Sequence, residues 1–411
     1  MSENNLKYAN MTFNARGVNN LGDNIQLIAL DAIYKNKFRL STDDVVYINK
    51  NDLNKYDGER VVLPISLAMT DYADWNDRFS DKIVPLFLGL SIAKDFLRPE
   101  DVSFFKKHEP IGCRDERTYH TMQSYGIESY LSGCITLTLP ERSEKHGNKI
   151  FCVDCEERVI ENLPDFLKKD AVITTHMIPN VQIDPKYLME KQYEMYKNEA
   201  KVVITSLLHC AAPCIAAGIP VICVKDVLSY RFSWIDKLLK IYRPDDVSGI
   251  TEIPSPIDIS YAKGVLTDLT VKRLRDPRSV FPEMETLTNY WLDRKKNDYV
   301  IEPLLPYSTF IEKNLTDKGK AYRYGIWGLT QVSEMVVEFL KKNYPNAELV
   351  NVYDKYRKLR FYGKETKSPS EINNDVDYLF VTTNGAEADA LDLIKNGVIE
   401  KSKVCLIKVY H

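Results

Sequence analysis

Short apolar runs bounded by polar turns recur along the chain, and amphipathic stretches fill the gaps between them. Val45–Ile48, Val61–Leu63 and Ile83–Leu90 have the length and unbroken hydrophobicity of buried parallel strands, with Ile111–Arg114 a shorter one. Helical periodicity predicts a helix capped by Asp23 or Asn24 and running through Tyr34, then Asp101–Lys107 and Glu116–Tyr125, the last stopped by Gly126. Leu131–Leu139 closes this unit, and Pro140 with the charged stretch after it reads as a linker.

The alternation then restarts. Ile150–Val153 and Val172–Thr174 read as strands around a helix ending at Lys168, and Tyr187–Glu199 as an amphipathic helix. Val202–Ile204 is a strand, Thr205-Ser206 a cap, and Leu207–Ala217 a helix stopped by Gly218-Ile219-Pro220 before the strand Val221–Val224. Helices are expected over the aromatic stretch Ser229–Tyr242, over Tyr261–Asp276 and over Phe281–Asn297. Beyond Pro306 the pattern begins a third time. Strands are expected at Arg323–Gly328, Leu349–Tyr353, Tyr378–Val381 and Val404–Val409, with helices at Gln331–Asn343 and Ala386–Asn396. Strands alternating with helices indicate an α/β chain of doubly wound layers, divided at 1–140, 141–305 and 306–411.

Composition narrows the class. Of 411 residues, 44% are apolar and 27% charged, ordinary values for a packed globular chain with several cores. The formal charge of −3 argues against a nucleic-acid binder. No run reaches the ~18–20 apolar residues of a membrane span, and the polar N-terminus does not read as a signal peptide. Eight scattered cysteines point to a reducing cytoplasm. The spacing Cys152-Val153-Asp154-Cys155 has no second Cys/His pair and reads as strand, so no metal site is expected.

Candidate chemistry gathers at strand ends, where open α/β sheets bind ligands. His209 follows one strand at a helix start, and His176 follows another in the same unit. Asn20-Leu21-Gly22-Asp23 precedes the first helix, as a phosphate cradle or a plain βα turn; Asp23 is placed to orient or deprotonate a hydroxyl. Arg114, at a strand-to-helix junction, points into a cleft or pairs with its acidic neighbours. The turn Gly325–Thr330 lacks the third glycine of a dinucleotide fingerprint. Asp354 stands where a ribose-binding acid would lie, but an accessory role suits the module better.

Taken in order, these stretches resemble the polysaccharide pyruvyl transferase family. Asn20–Gln26 is similar to its N-terminal turn. Ile111–Asp115, Tyr125–Ile127 and Ser132-Gly133-Cys134 are similar to its next run. Phe151–Glu157, Thr175-His176, Tyr196 and Val202–Val224 are similar to its second half, so the resemblance spans about residues 10–240. It implies a GT-B-like fold of two facing Rossmann-like domains, here followed by a smaller Rossmann-like module that resembles those appended to some sugar-modifying transferases. It also implies transfer of pyruvate from phosphoenolpyruvate onto two sugar hydroxyls, forming a ketal in bacterial surface polysaccharide synthesis. The family's Arg-Leu-His triplet falls on Leu207-Leu208-His209, so the histidine is kept and the arginine replaced.

On that reading His209 is the acid or a phosphate partner, with Thr205, Ser206 and Leu208 at the helix start that helps hold the phosphate. Arg114 and Arg231 supply anion contacts, Asn20, Gly22 and His176 line the substrate, and Asp23, or failing it Glu156, serves the acceptor hydroxyl. No cofactor or metal is required. The acceptor is a sugar or oligosaccharide, free or lipid-linked, and the protein works in the cytoplasm, in solution or at the inner membrane face. Two other readings stay open: a GT-B glycosyltransferase using a UDP- or CMP-linked sugar, and a non-catalytic binding subunit of a glycan assembly system.

Overall fold

The computed structural model describes residues 7–13, 18–179, 183–226, 228–295, 300–373 and 375–406. It is a mixed α/β chain built on several parallel sheets. The first unit comprises β1 (Lys7–Thr12), β2 (Val18–Asn20), α1 (Leu21–Ile33), β3 (Val45–Asn49), β4 (Val61–Ile65), β5 (Ile83–Phe87), α2 (Pro99–Lys107), β6 (Ile111–Cys113), α3 (Glu116–Ser124) and β7 (Ser129–Leu131). Its sheet runs β3-β1-β4-β5, all parallel, and the single bridge Leu90–Cys113 joins it to the parallel pair β6-β7. The strand order reverses between β1 and β4, which puts a ligand crevice at their carboxyl ends. Ile83–Leu90 ends as a strand at Phe87, because Leu88 and Gly89 both donate to Ile65 O and break the ladder there.

The second unit comprises β8 (Lys149–Val153), α4 (Glu157–Asn162), α5 (Asp165–Lys168), β9 (Ala171–Thr174), β10 (Met177–Pro179), α6 (Pro185–Glu199), β11 (Ala200–Thr205), α7 (Leu208–Ala216), β12 (Val221–Val224), β13 (Leu228–Ser229), β14 (Ile241–Tyr242), α8 (Ser260–Arg275) and α9 (Pro282–Leu292). Its parallel sheet runs β14-β12-β11-β8-β9, with the reversal between β8 and β11. Pro164 splits the helix expected up to Lys168 into α4 and α5. The aromatic stretch Ser229–Tyr242 is not the expected α-helix. It makes β13, one 3₁₀ turn at Tyr230–Phe232 and further turns: residues 232–237 are buried without a break, Ser233, Asp236 and Lys237 among them, so the segment has no solvent face of the kind an amphipathic helix keeps. Helices α8 and α9 return to the first unit: Arg273 donates to Pro110 O at 2.9 Å, and Leu131 N to Thr288 Oγ1 at 3.0 Å.

The last unit comprises β15 (Val300–Ile301), α10 (Leu305–Asn314), β16 (Arg323–Trp327), α11 (Gln331–Asn343), β17 (Glu348–Tyr353), β18 (Arg360–Phe361), β19 (Lys364–Lys367), β20 (Tyr378–Val381), α12 (Glu387–Lys395) and β21 (Val404–Cys405). The end of the strand expected at Val404–Val409 lies outside the described residues. The sheet order is β18-β19-β17-β16-β20-β21. Gly328 (φ +89°) turns β16 toward α11 where a side chain would collide with Thr383. The edge at which such a turn would meet a nucleotide is filled by the first unit. Gln331 N donates to Thr70 O, Gln331 Nε2 to Met69 O, and Ala93 N to Gln331 Oε1, all within 2.9 Å. Asp354 holds Arg357, whose guanidinium reaches Leu329 O at 2.6 Å, so the acid serves the turn itself.

Candidate active site

The site begins where the two crevices meet. Strand β2 pairs antiparallel with β10, aligning Asn20 with Met177, so the start of α1 is stitched to the second unit. Leu21 N donates to His176 O at 2.8 Å. Asn20, rather than the expected Asp23 or Asn24, caps α1, its side chain accepting from Gly22 N at 3.0 Å; the helix starts three residues earlier than its periodicity suggests. Gly22 fills the space between the two histidines. A β-carbon there would stand 3.0 Å from His209 Cβ and 3.5 Å from His176 Nδ1.

On the other side, Thr205 and Ser206 do not cap α7. Thr205 Oγ1 accepts from Leu207 N and donates to Val153 O, and Ser206 Oγ donates to Asp154 O at 2.7 Å. Leu207 is the N-cap, and no side chain caps α7. Leu208 is buried as the first helical residue, and His209 follows it. Asp154, in a left-handed conformation (φ +49°), ties three strand ends together. Its carboxylate accepts from Thr175 Oγ1 at 2.5 Å and His176 N at 2.7 Å, while its carbonyl takes Ser206.

These turns bring His209 and Asp23 together across the units, Nδ1 to Oδ1 at 3.4 Å. His209 is buried, whereas the Asp23 side chain is a third exposed. Nε2 of His209 faces Arg114 Nη1 at 3.3 Å. The Cys134 thiol acts on the ring as well, favouring its charged form. Burial works against a charged imidazole, but Asp23 and Cys134 together hold its pKa above the ordinary value, with Arg114 opposing. Asp23 is correspondingly lowered: burial raises it, and His209, Lys50 and Arg231 more than offset that. Cys134 is buried, which raises a thiol, yet Arg114 and His209 bring it down to about 6.

Arg114 is almost wholly buried, and its Nη2 donates to Ser66 O and to Gln26 Oε1. The anion it feels most strongly is Cys134. Its fork is thus directed at His209 and the protein's own oxygens, and a bidentate contact to a ligand is not what this geometry offers. Arg114 positions the histidine and sets its field. His176 is fully buried with Nε2 3.2 Å from Tyr196 Oη; burial lowers its pKa to about 4, so it stays neutral, and its Nδ1 has no partner. Gln192 fixes that tyrosine hydroxyl at 2.7 Å.

Arg231 sits in the 3₁₀ turn after β13, close enough to Asp23 to lower its pKa, with a buried Nε that finds no partner. Glu156 is 63% exposed and 3.8 Å from Arg158, an ion pair that does not include the histidine. Sequence reasoning missed Cys134, Gln26, Ser66 and Asp154, along with Lys225, an ammonium buried at the end of β12. Gln26 and Cys134 both stand in the stretches that carry the family resemblance. Among the described residues no group of three or more His, Cys, Asp or Glu is arranged to hold a metal ion, and all eight cysteines are free thiols.

Comparison with known proteins follows the same part of the chain. The family model described as polysaccharide pyruvyl transferase matches residues 20–225, half of the chain. Among solved structures the chain is similar to a functionally uncharacterised protein from Klebsiella pneumoniae subsp. pneumoniae NTUH-K2044. That match has 18% identity and a TM-score of 0.32, and covers 53% of this chain and 83% of that one. A putative UDP-N-acetylglucosamine 2-epimerase from Listeria monocytogenes matches at 9% identity and TM-score 0.34, over 72% and 99% of the two chains. The UDP co-structure of MnaA from S. aureus matches at 9% and 0.29, over 76% and 98%. These superpositions are loose. No curated protein matches.

Proposed function

The chain belongs to the polysaccharide pyruvyl transferase family, and from that premise we propose that it transfers pyruvate from phosphoenolpyruvate onto two hydroxyls of a glycan sugar as a ketal. The observation that carries this reading is the buried His209, held between Asp23 of the other unit and Cys134 with its proton affinity raised. Ketal formation needs such a group. A protonated His209 delivers its proton to the methylene carbon of the enol, leaving an oxocarbenium-like C2 that one sugar hydroxyl attacks. Loss of phosphate and attack by the second hydroxyl close the ring. Of the two hydroxyl protons released, one replaces the proton given to the methyl group and the other leaves with phosphate.

In this scheme Asp23 keeps the Nδ1 side of the ring and presents its exposed edge to the acceptor hydroxyl. Arg114 opposes protonation of the ring without reversing it, since a guanidinium can only donate to Nε2. We read the two Rossmann-like units as a GT-B-like pair, with 1–140 and 141–305 as their sequence limits and residues 306–411 as an accessory module. No described helix is long and apolar enough to cross a membrane, and a lipid-linked acceptor would be met at the surface.

The test is phosphate release from phosphoenolpyruvate by the full chain with a panel of sugar acceptors, coupled to mass detection of the ketal. UDP- and CMP-linked sugars serve as competing donors. Turnover of a nucleotide sugar without consumption of phosphoenolpyruvate would overturn the proposal.

A further inference from the structure

Lys225 is the most conspicuous charge that the scheme above leaves unused. Its residue is 5% exposed, and its Nζ has no hydrogen-bond partner. The backbone explains how it comes to be there. Lys225 N donates to Tyr242 O at 2.8 Å, so the residue prolongs the β12 ladder by one step. Thr205 and Cys223 are register partners in the parallel pair β11-β12, so Lys225, two residues beyond Cys223, stands at the sheet end from which β11 runs into α7. Alternation puts Lys225 on the same face as Cys223, and that face packs in the core cluster containing Cys210, Ala211 and Cys214 of α7. The ammonium therefore rises on the side where α7 starts, and α7 starts without a side-chain cap.

Its surroundings do not neutralise it. Phe232 lies 5.8 Å away as a ring face, and Cys223 and Glu156, whose fields favour the ammonium, make no hydrogen bond to it; Glu156 stands 3.8 Å from Arg158. Arg231, the next cation, repels it. Both cations have a buried nitrogen lacking a partner, their fields overlap, and Arg231 also acts on Asp23, the partner of His209 in the first turn of uncapped α7. Burying unpaired like charges is unfavourable, and a dianion between them removes that cost while satisfying the free N–H groups of the helix.

We propose that Lys225, with Arg231 and the first turn of α7, forms the subsite for the phosphate group of the donor, a phosphate monoester dianion. This rests on the reading that the donor is phosphorylated, and it assigns to the end of β12 the charge that Leu207 does not carry.

The experiment is calorimetric titration of the full chain with inorganic phosphate, phosphoenolpyruvate and UDP, for the wild type, Lys225→Met, Lys225→Gln and Lys225→Arg. Either neutral variant should weaken binding of phosphate and phosphoenolpyruvate roughly 10- to 100-fold, whereas Lys225→Arg should stay within about threefold of the wild type. Without ligand, Lys225→Met should melt at a higher temperature than the wild type, because an unpaired buried charge is gone; a purely structural lysine would give the opposite. Phosphoenolpyruvate binding that is equal in wild type and both neutral variants overturns the subsite and leaves the pyruvyl reading standing. UDP binding that depends on Lys225, with none of phosphoenolpyruvate, supports the subsite and removes the pyruvyl donor. Failure of the wild type to bind any of the three overturns the subsite.

Discussion

A β-carbon at Gly22 would stand 3.0 Å from Cβ of His209, closer than neighbouring side chains normally approach. The glycine belongs to the first unit and the histidine to the second, so this contact fixes how deeply α1 can settle against α7. Gly22→Ala should push His209 off Asp23 by a few tenths of an ångström. Overpacking of this kind costs about 1–3 kcal/mol, and displacement of a catalytic group by more than that can cost up to about 100-fold in rate. We expect a fall in kcat of roughly 10-fold or more with a modest loss of Tm; unchanged kcat would mean that the ring's position is not critical.

His209→Ala should lower turnover by about two to four decades if the ring is the proton donor. Asp23→Asn tests the same role through pH. Burial pushes the imidazole pKa down, and Asp23 is foremost among the groups that carry it above its ordinary value. Activity that needs imidazolium is lost as pH rises through that raised value, so removing the carboxylate must move the alkaline limb of kcat/KM to lower pH. The stability linkage has matching signs. The histidine's share is complete below its unfolded pKa of about 6.5 and disappears as pH rises through the folded value. The lowered Asp23 contributes above its unfolded pKa of about 3.9 and loses that as pH falls. The Tm difference between wild type and Asp23→Asn should therefore peak in the mildly acidic window between them. An alkaline limb that stays in place would rule out coupling between the two.

Cys134 should be a thiolate near neutrality. Burial alone would raise it, but Arg114 and His209 bring it to about 6. Thiolate absorbance should therefore titrate with a midpoint near 6 in the wild type and be missing from Cys134→Ser. The serine variant should also shift the alkaline limb of the rate profile downward, because an anion that raises His209 is gone. Identical ultraviolet titrations for the two proteins would show the thiol to be neutral.

Much of the scaffold is legible in the chain. The runs Val202–Ile204 and Val221–Val224 are wholly buried parallel strands, and unbroken apolar segments of that length have few other uses. The same logic puts His209, His176, Asp23 and Arg114 at strand ends. It cannot show that Asp23 reaches His209, since that depends on the pairing of β2 with β10 between units. Cys134 reads as one more core residue, because a thiol's charge state is decided by the Arg114 that the fold brings to it. A lysine after four apolar residues reads as the solvated end of a strand, and only the packing of α7 over β12 makes Lys225 a buried charge. The stretch Ser229–Tyr242 misleads for another reason: Phe232, Ile235 and Leu239 repeat as a helix face would, but Ser233, Trp234, Asp236 and Lys237 between them are buried as well, which spacing does not reveal.

The attachment of the last unit gives a final prediction. Lys94 Nζ sits 2.9 Å from Asp101 and 3.1 Å from Glu334, with all three side chains no more than 3% exposed, and Arg98 joins Asp101 at 2.8 Å. Glu334 is on α11, so Lys94 bridges the first unit to the last one at the edge that also takes Gln331. Replacing Lys94 by Met leaves Asp101 with Arg98 and Glu334 with only that guanidinium at 3.8 Å, a loss of about 3–5 kcal/mol at neutral pH. Burial already raises the Glu334 pKa, so in the variant that carboxyl should take up a proton readily and the deficit should narrow as pH falls. Lys94→Met combined with Glu334→Leu removes one stranded charge and should recover part of the stability. Chemical unfolding of the three proteins at two pH values measures this, and limited proteolysis reports whether the module loosens. Because none of these charges pairs with His209, Asp23 or Arg114, donor affinity of whatever remains folded should be unchanged. A loss under about 1 kcal/mol for Lys94→Met is the size expected of exposed pairs; it would mean that water reaches these charges and that the module is held by Gln331 and its apolar neighbours instead.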